Sequence, residues 1–203
     1  MKNKPLSSNG FTIIEAVITI AVGTLLVAGI VGFMIEAGRL QTFVSEQAEA
    51  IETGNEAVTL MTEALRETTD GADGSYALEA VSANSLTFYS DVDADAAAEQ
   101  ITYVLAGTVI TQSLIEPTDA PAEYLPINQT DKTIAHNIVN GTYSGNAIFS
   151  YYDLNNVELT EPINLVDVTL VKVHLDVNVD PNRIPDTHTI ETYVQLRNLN
   201  DNL

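Results

Sequence analysis

Gly10-Phe11-Thr12-Ile13-Ile14-Glu15 opens an apolar run that continues through Ala16-Val17-Ile18-Thr19-Ile20 to residue 35, with Glu15 as its one charge. As an α-helix, residues 11–35 would extend roughly 38 Å at about 1.5 Å per residue, enough to cross a bilayer core with some tilt. The preceding residues 1–10 are short and polar, and Lys2 and Lys4 are their only charges. Basic residues before the run and acidic residues after it predict an N-in, C-out orientation. An ordinary secretory signal has a shorter apolar core, with its cleavage site after that core. Here no clear small-residue cleavage site ends the run, and the candidate site precedes it.

The helix is expected to continue beyond the membrane. Residues 36–69 contain no proline, and Leu40, Val44, Ala48, Ile51, Val58, Met61 and Leu65 recur near helical spacing. Glu46, Gln47, Glu49, Glu52, Asn55, Glu56 and Glu63 fall mostly between them. Gly54 is a weak point, costing about 1 kcal/mol relative to alanine. Asp70-Gly71-Ala72-Asp73-Gly74-Ser75 is a stop. The expectation is one helix of about sixty residues, roughly 90 Å long. Gly23, Gly29 and Gly32 in its apolar half either permit close helix approach or are ordinary membrane-helix glycines.

From about Ser85 the apolar period becomes two. Strands are predicted at 86–90, at 100–106 and 108–116 as a hairpin around Gly107, and at 132–140, 146–153, 165–179 and 189–196. Pro117, Pro121 and Pro126 mark a loop. Within 165–179 the apolar phase switches near Leu170, which implies a bulge, a bend or burial of both faces. The predicted fold class is α+β: a transmembrane-to-amphipathic N-terminal helix packed on a mainly antiparallel sheet. The expected division is a leader at 1–10, a transmembrane half-helix at 11–35, an amphipathic half at 36–70 and a β-rich head at 71–203.

The 203 residues carry 28 acidic and 8 basic side chains, a net charge of −20. So acidic a surface repels phosphate backbones, which argues against nucleic acid as a partner. There is no cysteine, hence no disulfide and no thiolate metal site. His136, His174 and His188 are scattered, His174 on the polar face of a strand, and no nucleophile elbow, P-loop or dinucleotide fingerprint occurs. No enzymatic activity is therefore expected. Asp91-x-Asp93-x-Asp95 followed by Glu99 invites a calcium hypothesis, because alternating oxygen ligands suit Ca²⁺. It departs from an EF-hand loop, with Ala96 at the turn-glycine position and Thr102 at the bidentate-glutamate position. A solvated acidic turn between strands is the preferred expectation, and no cofactor is assigned.

Ser8-Asn9-Gly10-Phe11-Thr12-Ile13-Ile14-Glu15 and the run behind it closely resemble the class III signal of type IV prepilins and pseudopilins. The resemblance implies that a prepilin peptidase cuts between Gly10 and Phe11 and methylates the new amino terminus. Glu15 then stands fifth in the mature chain, where that family places its glutamate. It implies further partners: other pilin or pseudopilin subunits, an inner-membrane assembly platform and membrane lipid. A carboxylate is costly in hydrocarbon, about 2.5 kcal/mol or more at mid-bilayer. The helix macrodipole and a neighbour's amino terminus would offset that cost and set the stagger between subunits. In the head, Phe88-Tyr89-Ser90-Asp91, Ile101-Thr102-Tyr103-Val104-Leu105, Phe149-Ser150-Tyr151-Tyr152-Asp153 and Val194-Gln195-Leu196-Arg197-Asn198-Leu199 resemble J-type minor pseudopilins and related minor pilins more loosely. The implied role is a minor filament subunit in an assembly-initiating tip complex. The alternative is a membrane-tethered protein whose head recognises an export substrate or surface ligand. An assembly subunit needs Glu15, whereas a tethered binder needs only the anchor.

Overall fold

The computed structural model describes residues 10–93, 95–141, 143–183 and 187–196. The chain divides into two compact units, the first ending at Ser45 and the second beginning at Glu46. One helix, α1, Ile13–Arg66, contributes to both.

In the first unit the helix is apolar on all sides as far as residue 35, apart from Glu15, and turns polar from Glu36 and Arg39 onward. Ile13, Ile14, Val17, Ile18, Ile20, Leu25, Leu26, Val27, Ile30 and Phe33 are all exposed. Its hydroxyls turn back on their own backbone: Thr19 Oγ1 donates to the Glu15 carbonyl at 2.7 Å and Thr24 Oγ1 to the Ala21 carbonyl at 2.8 Å. Such internal pairing is what a polar side chain requires where no water is at hand. This helix is long and apolar enough to cross a membrane, by length and composition.

In the second unit the fold is α+β. Strands β1 Leu78–Val81, β2 Ser85–Ser90, β3 Glu99–Ala106, β4 Val109–Pro117 and β5 Tyr124–Ala135 form a five-stranded antiparallel sheet in that order. Strands β6 Phe149–Tyr152, β7 Leu170–Val177 and β8 His188–Gln195 form a second, three-stranded antiparallel sheet. The outer turns of α1 bury Ala50, Ala57, Met61 and Ala64, with Val58 and Leu65 beside them, against residues of both sheets. That spacing of three and four is one helical face. Met61 and Leu65 are fully buried, each worth roughly 2 kcal/mol by area. Gly54 lies in this face: a Cβ there would stand 3.0 Å from Val177 Cγ2 and 3.1 Å from Ile190 Cδ1. The helix thus runs close to β7 and β8 here, and any side chain at this position obliges Val177 and Ile190 to shift.

Several expectations need correction. Gln47 is buried, not part of the polar face, while Leu40, Val44 and Ala48 are exposed. The predicted strand at 132–140 ends at Ala135, because Asn137 takes φ +59°; it begins at Tyr124, eight residues early. Pro117 and Pro126 therefore lie within strands. β5 is an edge strand, and the ladder is irregular between Ile115 and Pro117, so a residue without an N–H is tolerated there. The phase switch near Leu170 marks the end of a 3-10 turn, Leu165–Asp167, before β7 starts at Leu170. Strand β1 has four residues and was not predicted. The hairpin at Gly107 holds: Ala106 pairs with Val109, and Gly107 has φ +65° at the first turn position.

Candidate functional site

Two regions place the residues singled out in the sequence. The first is the start of α1. Gly10 is exposed, with open space around the position a Cβ would take. Phe11 is 73 % exposed and Glu15 is exposed on the first turn. Thr12 caps this turn: its carbonyl accepts the Glu15 and Ala16 amides at 3.1 Å each, and its Oγ1 accepts the Glu15 amide at 3.4 Å. Thr12-Ile13-Ile14-Glu15 therefore has the sequence of a capping box. The capping fixes where the helix begins and holds Glu15 at its positive end, where the macrodipole favours a carboxylate. Residues 1–9 of the expected leader, and Arg197-Asn198-Leu199 of the looser resemblance, lie outside the described residues.

The second region is the loop between β2 and β3. It brings Asp91, Asp93, Asp95 and Glu99 together, with one ligand atom from each lying within 4.8 Å of all the others. Asp93 and Asp95 are exposed, Asp91 is half-buried, and Glu99 is 0 % exposed. Loop amides point at the carboxylates: Val92 N donates to Glu99 Oε2 at 2.8 Å, Ala96 N to Asp91 Oδ2 at 3.2 Å and Ala97 N to Asp95 Oδ1 at 2.8 Å. Ala96, at the position where an EF-hand loop has glycine, takes the left-handed conformation itself, with φ +75°. Thr102 lies inside β3, paired with Thr87 and Ser113, so the acid closing the cluster is Glu99. Asp91 Oδ1 and Glu99 Oε1 are buried without a hydrogen-bond partner. Burial above all pushes the Glu99 carboxyl up to about 7; the Val92 amide opposes this, and the charges of Glu116 and Asp93 add to it. Glu116 is raised as well, by burial and then by Asp93 and Asp95, which marks it as a neighbour that spacing alone did not reveal. The preferred expectation of a freely solvated turn does not describe Glu99.

A third constellation escaped the sequence reading. His174 is not a free surface residue: Nδ1 lies 2.7 Å from Glu191 Oε1 and Nε2 lies 3.1 Å from Asp176 Oδ1. Asp176, 3 % exposed, also accepts from Asn146 Nδ2 and Thr189 Oγ1, each at 2.8 Å. Burial raises its pKa, but hydrogen bonds from Ser144, Asn146, Thr189 and His174 outweigh that and hold it at about 2. Register explains the cluster, since Lys172, His174 and Asp176 of β7 face Tyr193, Glu191 and Thr189 of β8. Alternation showed that β7 has a polar face, but not which residues it would meet. Among the described residues, the acidic loop is the one group of His, Asp and Glu ligands arranged to hold a metal ion.

Compared with known proteins, the chain matches no protein-family model and no curated protein.

Proposed function

We propose that this chain is a minor structural subunit of a type IV pilus-like or type II secretion pseudopilus filament. In this reading the precursor inserts with residues 1–10 in the cytoplasm and its head outside. A prepilin peptidase removes the leader after Gly10, Phe11 is N-methylated, and the exposed apolar helix passes from lipid into a bundle of neighbouring subunits. The observation that carries the reading is the junction itself. Gly-Phe-Thr-Ile-Ile-Glu opens a capped helix whose apolar side chains are exposed on all sides. Side chains so placed need lipid or other helices around them. Glu15 supplies specificity, because an unpaired carboxylate in that bundle is penalised unless a neighbour's amino terminus meets it. By resemblance, the subunit belongs to a tip complex that starts assembly on an inner-membrane platform.

The test uses the absence of cysteine, which makes introduced cysteines unique crosslinking handles. Glu15→Leu should remain in the membrane at normal abundance yet lose crosslinks to filament subunits and leave the sheared filament fraction. A Glu15→Leu chain that assembles like the parent would sink the pairing role and favour a tethered binding protein.

A further inference from the structure

We propose that the loop between β2 and β3 is a calcium site, in which Asp91, Asp93, Asp95 and Glu99 give carboxylate oxygens to one Ca²⁺. The inference is independent of the filament reading, since it rests on the second unit alone. Four acidic residues near one another are not a site in themselves. What sets this group apart is Glu99, wholly buried, with Oε2 held by the Val92 amide and Oε1 lacking any partner. Asp91 Oδ1 is orphaned in the same way. A buried acceptor left unpaired is costly, and two where this loop meets its strands, both carboxylate oxygens, call for a cation rather than for another amide.

The chemistry selects the ion. The ligand set is all oxygen, which suits hard cations and disfavours zinc or copper. Two oxygens on one Ca²⁺ at about 2.3–2.6 Å can lie up to roughly 5 Å apart. No pair of the four ligand atoms is more than 4.8 Å apart, so each pair lies within the span of one calcium sphere. Mg²⁺, at about 2.0–2.1 Å, spans only about 4.2 Å and demands near-octahedral geometry. The exposed sides of Asp93 and Asp95 leave room for water to complete a sphere of six to eight ligands.

The position has a structural consequence. At the foot of the loop, Ser90 Oγ donates to the Ala64 carbonyl at 2.8 Å, and Thr69 N donates to the Tyr89 carbonyl at 3.0 Å. A cation that ties Asp91 to Glu99 therefore braces the end of β2 where it meets the last turns of α1.

The experiment takes the full chain in non-ionic detergent, strips it with EDTA and titrates it with CaCl2, reading calorimetry and thermal melting. One Ca²⁺ should bind per chain, and at a hundredfold excess over Kd the melting temperature should rise by roughly 5–10 °C. MgCl2 should bind at least tenfold more weakly. Asp93→Asn, an exposed change that leaves the core untouched, should weaken calcium at least tenfold. Glu99→Gln should abolish the calcium-dependent rise, while its metal-free form melts no lower than the parent. The proposal is overturned if the parent shows no saturable calcium binding, or if sodium chloride at equal ionic strength gives the same rise. It is equally overturned if Asp93→Asn binds calcium as the parent does; that variant decides the matter alone should Glu99→Gln fail to fold.

Discussion

Removing the Gln47 amide should destabilise the head more than its place among glutamates suggests. Gln47 is 5 % exposed. Its Nε2 donates to the Val177 carbonyl at 3.3 Å, and its Oε1 accepts the Val179 amide at 2.9 Å. One side chain of α1 thus satisfies two backbone groups where β7 ends. Gln47→Ala leaves both groups without that partner and opens a void. An orphaned buried group costs about 1–3 kcal/mol, with the longer bond at the low end, so the sum is about 3 kcal/mol. For a unit of this size that lowers the melting temperature by roughly 6–12 °C. The chain has no tryptophan and eight tyrosines, so tyrosine fluorescence and near-ultraviolet circular dichroism report the melt. Gln47→Leu separates packing from hydrogen bonding, because it restores volume but neither bond. It should remain within about 1 kcal/mol of Gln47→Ala. A Gln47→Leu protein as stable as the parent would refute the hydrogen-bond argument, and so would a Gln47→Ala loss below about 0.5 kcal/mol.

Other outcomes follow from the same structure. Asp176 has a folded pKa of about 2, below its unfolded value, so its contribution is present above about pH 4 and lost as pH falls towards 2. Acid titration monitored by circular dichroism should show about 2 kcal/mol of stability lost across that window, and Asp176→Asn should remove that component. At Gly54, alanine should be nearly neutral by denaturant unfolding, because helix propensity gains about 1 kcal/mol while Val177 and Ile190 must give way slightly. Leucine at the same position should cost about 2 kcal/mol or more by overpacking; a leucine variant as stable as the parent would contradict the close approach of α1 to β7 and β8.

The long helix was legible because its signals are local and strong, an apolar run and no proline, although it ends at Arg66, ahead of the Asp70-Gly71 stop. The same holds for β2, the β3–β4 hairpin, β6 and β8, where alternation and turn chemistry agree. The misses arose where a distant partner decides the outcome. Gln47 carries the polarity of an exposed residue, and only β7 makes it an internal one. Asn137 ends a stretch that reads as strand by taking a positive φ, and Ile138 then bridges to Val177 instead. At the acidic loop, the residue set was legible from spacing. The burial of Glu99 was not, because it depends on how β3 is covered. His174 shows the same limit, since alternation placed it on a polar face but could not supply Glu191 from β8.

The most direct test of the filament account is the intact mass of the protein recovered from membranes of its native host. The account predicts a chain lacking residues 1–10 and heavier by one methyl group at Phe11. An uncut chain, or one cut after the apolar run, would contradict it.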